Sequence, residues 1–108
     1  MMVYELNRIA EYIKPIAEKY ELPAVYVFGS YARGEATEES DIDLLVEIRG
    51  SLIKGIMFGG LYNDIEEALP LGFDLMTVGT LESLVAFRQT STMPDRIRKD
   101  MVKIYERV

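Results

Sequence analysis

Cysteine and histidine are both absent from the 108-residue sequence. Without cysteine there is no disulfide framework and no thiolate ligand for a metal. Without histidine there is neither an imidazole base nor a histidine ligand for zinc. Any metal ion must therefore be held by oxygen atoms, which are the ligands that Mg²⁺ and Mn²⁺ prefer.

Basic residues are also few, because 12 lysines and arginines stand against 18 aspartates and glutamates, for a formal net charge of −6. Sequence-independent binding of nucleic acid needs a basic surface, so direct binding of nucleic acid is not expected. A nucleoside triphosphate stays compatible with this charge, because a bound cation neutralises its site locally. No apolar run reaches the roughly 18 residues of a membrane span, and no signal-peptide pattern opens the chain, so we expect a cytoplasmic protein without membrane contact.

Apolar residues recur at helical spacing near the N-terminus and again in the middle of the chain. They predict a first helix over residues 3–20, with a kink or break near Lys14 because Pro15 removes one backbone hydrogen bond. They also predict a helix over residues 61–69. The preceding pair Gly59-Gly60 is expected to keep that helix from starting earlier, since each glycine costs roughly 1 kcal/mol within a helix.

Short apolar runs predict three strands, at residues 24–28, 41–48 and 72–78. Thr80 is predicted to cap a short helix, and Pro94 suits the first turn of a last one. Residues 102–105 fit either that helix or a short strand. We therefore expect one domain over residues 1–108 with an α/β fold, in which a small mixed sheet is flanked by helices in the order helix, strand, helix, strand, helix, strand, helix.

The pair Gly29-Ser30 stands where the first strand ends and one or two helical turns over residues 30–33 begin. Glycine lets the backbone approach a ligand closely, and the N–H groups at the start of a helix attract phosphate. Taken alone, the pair is explained equally well by a tight strand-to-helix turn in which Ser30 caps the helix.

Three aspartates stand on the predicted strands. Asp41 and Asp43 point the same way, because successive strand side chains alternate between the two faces. Two adjacent carboxylates repel each other unless a cation lies between them. Asp74 lies in the third strand, where a charge is costly unless it is paired or bound to metal. Enzymes that transfer phosphoryl or nucleotidyl groups use a metal site beside a phosphate site.

Other polar residues around these motifs have simpler interpretations. The hydroxyl of Ser40 can brace the turn before Asp41 instead of contacting a nucleotide. Arg33 can reach a phosphate or a partner carboxylate, or lie exposed at the end of its helix. Asp64 lies on the amphipathic helix and is expected at the surface, outside the site.

The motif as a whole resembles a known family. Gly29-Ser30, ten intervening residues and then Asp41-x-Asp43, with each half attached to an apolar strand, resemble the DNA polymerase β-like nucleotidyltransferase superfamily. The details Ala32-Arg33-Gly34 and Ser40, in so short a chain, are similar to its minimal nucleotidyltransferase branch. The similarity extends over roughly residues 1–105.

The resemblance implies the roles of the site residues. Metal binding and catalysis fall to three carboxylates, which are Asp41, Asp43 and Asp74, with two Mg²⁺ or Mn²⁺ ions between them. Nucleotide binding falls to Gly29, Ser30, Arg33 and Ser40. The implied reaction is transfer of AMP from ATP to a hydroxyl group. Because minimal nucleotidyltransferases are often encoded beside a HEPN-domain protein as its antitoxin, the implied acceptor is such a toxin.

Alternatives to this hypothesis remain open. The chain could be an antitoxin that neutralises its partner by binding alone, or it could nucleotidylate a small molecule. Both a homo-oligomer and a hetero-oligomer fit the sequence. An Asp-x-Asp motif also occurs in nucleotide-sugar glycosyltransferases, but those folds need a longer sheet ahead of the motif than two short elements provide.

Overall fold

The computed structural model describes residues 3–86 and 99–107. Within this part of the chain no helix is long and apolar enough to cross a membrane. The secondary-structure elements follow one another as α1 (Leu6–Tyr20), β1 (Ala24–Phe28), α2 (Gly29–Arg33), β2 (Ile42–Glu47), α3 (Met57–Ala68), β3 (Phe73–Thr77), α4 (Val78–Ala86) and β4 (Val102–Glu106).

The strands form one mixed sheet in the order β3-β2-β1-β4. β1 pairs antiparallel with both β2 and β4, whereas β2 and β3 are parallel. The α/β fold with a small mixed sheet is therefore confirmed, and the three strands predicted from apolar runs are present, each within one or two residues of its predicted ends.

Apolar side chains divide between the two faces of the sheet. One face carries Ile42, Leu44 and Val46, which pack with buried residues of α1 and α3 in the larger core. The opposite face carries Leu45, which packs with Phe28 and with Leu81 of α4. Because side chains alternate along a strand, Asp41 and Asp43 share the face of Leu45. The carboxylates thus lie on the α4 side of the sheet, near the end where β2 begins.

Helix α1 continues through Pro15 to Tyr20, so of the kink or break predicted near Lys14 the break is absent. A proline inside a helix costs about 3 kcal/mol. Burial of the apolar residues on either side outweighs this cost, since a fully buried large aliphatic side chain contributes about 1.5–3 kcal/mol. The buried face of α1 comprises Ile9, Ile13, Ile16, Ala17 and Tyr20.

Helix α3 starts at Met57 and includes Gly59 and Gly60, so the expectation that it begins only at Leu61 is also wrong. Gly60 lies against α1, where an added Cβ would be 3.2 Å from the Tyr20 hydroxyl oxygen. The Tyr20 hydroxyl donates a 2.7 Å hydrogen bond to Asp64, which lies on α3 like Gly60. Contact with α1 therefore compensates for the low helix propensity of the glycine pair.

The C-terminal elements decide between two alternatives and correct one expectation. Residues 102–106 form the strand β4, so of the helix and the strand that residues 102–105 fit, the strand is present. Pro94 lies outside the described residues. Helix α4 begins at Val78, and the hydroxyl of Thr77 accepts a 3.1 Å hydrogen bond from the N–H of Thr80. Thr77, rather than Thr80, is therefore the capping residue.

The two glycines of α3 predict opposite responses to alanine. Gly59→Ala should raise the free energy of unfolding by about 0.5–1 kcal/mol, because nothing lies within 4 Å of the added Cβ and alanine favours a helix. Gly60→Ala should raise the free energy of unfolding by less than Gly59→Ala does, or should lower it, because the added Cβ crowds the Tyr20 hydroxyl. Urea unfolding of both variants checks this difference, and equal stabilisation by the two substitutions would contradict it.

Candidate active site

The geometry of two parallel strands brings Asp43 and Asp74 together. β2 and β3 pair in register with Asp43 opposite Asp74. Adjacent strands are about 4.8 Å apart, and paired residues of parallel strands point to the same face. The sheet therefore places the two carboxyl groups side by side on one face.

Electrostatics at this contact disfavour the ionised form of Asp43. Its pKa is raised above the ordinary value by partial burial first, then by the charge of Asp74 and the hydrogen bond with it, and further by the charge of Asp41. The positive charge of Arg33 acts in the opposite direction and lowers this pKa. A half-buried carboxylate beside two others is an environment that a bound cation would stabilise.

Asp74 is more exposed than the sequence suggested. It lies on β3, which is the edge strand of the described sheet, and its side chain is exposed. A charge here was expected to be costly unless paired or bound to metal, and the edge of the sheet lowers that cost because it leaves the Asp74 side chain in contact with water. Its pairing with Asp43, rather than its burial, places it in the site.

Asp41 lies just before β2 and is turned toward a glycine. A Cβ added to Gly72 would be 2.5 Å from an Asp41 carboxylate oxygen, so a side chain there would push the exposed Asp41 carboxylate aside. Within residues 3–86 and 99–107, no three acidic side chains converge closely enough to hold a metal ion as they stand. Asp43 and Asp74 are thus paired across the two strands, while Asp41 is turned toward Gly72.

Gly29 provides the space in which the Asp43 carboxylate lies. It has a positive φ of 72°, which glycine adopts readily, and an added Cβ would collide with the Asp43 carboxylate. The backbone at the start of α2 therefore runs directly beside the carboxylate pair. Any side chain at position 29 would displace Asp43.

Ser30 follows inside the helix and does not cap it. Helix α2 begins at Gly29, and the capping position is Phe28, which makes no side-chain hydrogen bond. The interpretation of Ser30 as a capping residue is therefore wrong. Its side chain is half-buried, one residue from the glycine that borders Asp43.

Arg33 ends α2 and is held by two carboxylates. Its Nε donates a 2.9 Å hydrogen bond to Glu35, and its Nη1 donates a 3.0 Å hydrogen bond to Asp100. Of the alternatives for Arg33, both exposure at the helix end and contact with a carboxylate are therefore present. The guanidinium is also near enough to Asp43 to lower its pKa, so it borders the site.

Ser40 and Asp64 both have local hydrogen-bond partners. The Ser40 hydroxyl accepts a 2.9 Å hydrogen bond from the N–H of Thr37, so it braces the loop ahead of Asp41. Asp64 accepts hydrogen bonds from Lys19 (2.9 Å) and from Tyr20. These contacts lie far from the carboxylate pair in the fold. Asp64 is half-buried rather than fully at the surface, and it joins α3 to α1.

Two residues of the site escaped sequence reasoning. Gly72, which accommodates Asp41, looks like an ordinary chain-breaking glycine before β3. Asp100, which holds Arg33, is 67 positions from it in sequence and belongs to no motif. Only the pairing of β4 with β1 brings Asp100 close to Arg33, and no local sequence pattern predicts that pairing.

Solved structures share this fold. A chain of a toxin–antitoxin complex with AMP-PNP matches with a TM-score of 0.61 at 22% identity, covering 91% of this chain and 73% of that chain. A chain of the complex between the tri-AMPylated HEPN toxin of Shewanella oneidensis and its MNT antitoxin matches with a TM-score of 0.51 at 21% identity, covering 94% and 70%. At these identities the matches show the fold alone.

Sequence comparison shows the family. Protein adenylyltransferase MntA of Thermococcus cleftensis is 40% identical over 75 residues, which are 68% of this chain and 73% of that protein. The family model described as Polymerase beta, Nucleotidyltransferase matches residues 11–107. This match includes both halves of the Gly29-Ser30 and Asp41-x-Asp43 motif as well as Asp74. The chain therefore belongs to the polymerase β nucleotidyltransferase family.

Proposed function

We propose that this protein transfers AMP from ATP to a hydroxyl group of a HEPN-type partner protein, in a reaction that depends on divalent metal. The observation that carries the proposal is the meeting of Asp43 and Asp74 on parallel strands beside the backbone of Gly29. A carboxylate pair and a strand-to-helix glycine, side by side, can hold a cation and the phosphates it neutralises.

The donor set suits a hard divalent cation. Carboxylate oxygens are the ligands that Mg²⁺ and Mn²⁺ prefer, and Asp41, Asp43 and Asp74 would hold two such ions. Asp41 would turn away from Gly72 to join the pair, which its exposed side chain permits. When bound, the metal would neutralise the triphosphate and make the attacking hydroxyl more acidic. The raised pKa of Asp43 fits this role, because a cation would relieve the burial and repulsion that cause it.

The nucleotide would be positioned by α2 and the residues around it. Backbone N–H groups at Gly29 and the hydroxyl of Ser30 would donate hydrogen bonds to the β- and γ-phosphates. The guanidinium of Arg33 would meet the same phosphate group. Ser40 would act through the loop that it braces ahead of Asp41. In phosphoryl-type transfer the protein contributes positioning and charge neutralisation rather than covalent chemistry.

In the transfer itself the acceptor hydroxyl oxygen would form a bond to the α-phosphorus of ATP. The bond between that phosphorus and the bridging oxygen of pyrophosphate would break, and pyrophosphate would leave with the electron pair. The hydroxyl proton would pass to the Asp74 carboxylate. The exposure of Asp74 on the edge strand supports this step, because an acceptor can approach it from solvent.

Charge favours a protein acceptor over a polynucleotide. The chain carries −6 overall, and in its described part many basic side chains are already engaged in ion pairs. These side chains are Arg8, Lys19, Arg33, Arg49 and Lys103. A basic groove of the kind that a primer strand needs is therefore not formed by them. The 40% identity to protein adenylyltransferase MntA supports the same conclusion.

Neutralising Asp43 should separate nucleotide binding from folding. Asp43→Asn should leave the melting temperature without ligand unchanged or slightly higher, because it removes a half-buried charge repelled by Asp74 and Asp41. It should abolish the stabilisation by Mg·ATP, which at about 100 times Kd adds about 2.7 kcal/mol to the wild-type free energy of unfolding. Thermal melts with and without Mg·ATP measure both effects.

Asp64→Asn is the matched control for that experiment. It also neutralises a half-buried aspartate, but one whose pKa is lowered by hydrogen bonds from Lys19 and Tyr20. This variant should melt at a lower temperature and keep its response to Mg·ATP. A wild-type protein that Mg·ATP does not stabilise would contradict the proposed nucleotide site.

Label transfer tests the acceptor. Incubation with α-labelled ATP, Mg²⁺ and a HEPN-domain protein encoded beside this one should label that protein on a hydroxyl side chain. Asp41→Ala or Asp74→Ala should remove the label, whereas Asp64→Asn should retain it. Label in extended RNA or DNA would contradict the assignment. Equal neutralisation of the partner by the aspartate variants would instead favour an antitoxin that acts by binding.

A further inference from the structure

Arg33 ends the short helix whose first residue borders the carboxylate pair. That first residue, Gly29, lies against the Asp43 side chain. The guanidinium itself donates hydrogen bonds to Glu35 and Asp100. The effect of its charge on the pKa of Asp43 is consistent with this placement. The guanidinium therefore stands where the phosphates of a nucleotide would arrive.

Two carboxylates hold that guanidinium, and they differ in character. Glu35 is two residues away in the sequence, and 66% of its side chain is exposed. Asp100 is 67 residues away, and only 19% of its side chain is exposed. A largely exposed side chain fixes its partner weakly, because water competes for the hydrogen bond. Asp100 is therefore the stronger constraint on the position of Arg33.

The sheet itself brings Asp100 to this point. β4 pairs antiparallel with β1, with Val102 opposite Val27. Asp100 precedes Val102 by two residues, and Gly29 follows Val27 by two residues, so both leave the sheet at the same end. Asp100 therefore lies two residues before β4, at the end of the sheet where α2 begins.

We propose that Asp100 is a positioning residue, which holds the Arg33 guanidinium at the end of α2 so that it meets the triphosphate of the nucleotide. The two hydrogen bonds to Glu35 and Asp100 use two of the five N–H donors of the guanidinium. The other donors can bind phosphate oxygens. An arginine fixed in advance loses less conformational entropy when it binds phosphate. The inference rests on the proposed nucleotidyl-transfer function.

Calorimetric titration of the full chain with Mg·ATP and with AMP tests the role of Asp100. Asp100→Asn keeps the shape of the side chain and removes its charge. It should weaken Mg·ATP binding about tenfold, which corresponds to about 1.4 kcal/mol, and change AMP binding by less than about twofold. A residue with a merely structural role would not discriminate between triphosphate and monophosphate. Glu35→Gln, which alters the exposed partner of the same guanidinium, is the control and should change either affinity by less than about threefold.

A double-mutant cycle with Arg33→Ala assigns the effect to the guanidinium. In the Arg33→Ala background, Asp100→Asn should cause no further loss of Mg·ATP affinity. A full additional loss there, or equal Mg·ATP affinity of Asp100→Asn and wild type, would overturn the positioning role alone. Absence of Mg·ATP binding by the wild-type protein would overturn the proposed function, and the positioning role with it.

Discussion

The contact between Asp43 and Asp74 is the constraint on which the site depends. Parallel pairing of β2 and β3 places the two residues opposite each other on one face, where burial and like charge raise the pKa of Asp43. A fold that served stability alone would gain nothing from this repulsion. The surrounding structure accommodates it through Gly29, whose missing side chain leaves room for the Asp43 carboxylate. Under the proposed function, a bound cation and the anion it carries would relieve this unfavourable contact.

Much of the fold could be predicted because its strands are short and apolar and end at clear turn residues. The strands and their common α/β arrangement follow from local pattern. The errors arose where tertiary contact overrode local preference. Pro15 stays within α1 because the residues around it are buried. Gly60 stays within α3 because it packs against Tyr20.

The candidate site was predictable to the extent that its residues lie in motifs. Gly29-Ser30 and Asp41-x-Asp43 are close in sequence, and Asp74 is an acidic residue between apolar neighbours. Asp100 could not be found in this way, since nothing local marks it. It is near Arg33 only because β4 returns to the edge of β1, and the sequence of β4 fits a helix as well as a strand. Long-range pairing, not motif chemistry, decides which distant residue completes such a site.

The central claim is that Asp41, Asp43 and Asp74 form a metal-dependent nucleotide site. A crystal structure with Mn²⁺ and a non-hydrolysable ATP analogue tests it most directly, because the anomalous signal locates the metal. The account predicts Mn²⁺ between the three carboxylates, Asp41 turned away from Gly72, and the triphosphate against Gly29 and Ser30. Nucleotide bound elsewhere, or Asp43 and Asp74 side by side with no metal between them, would contradict it.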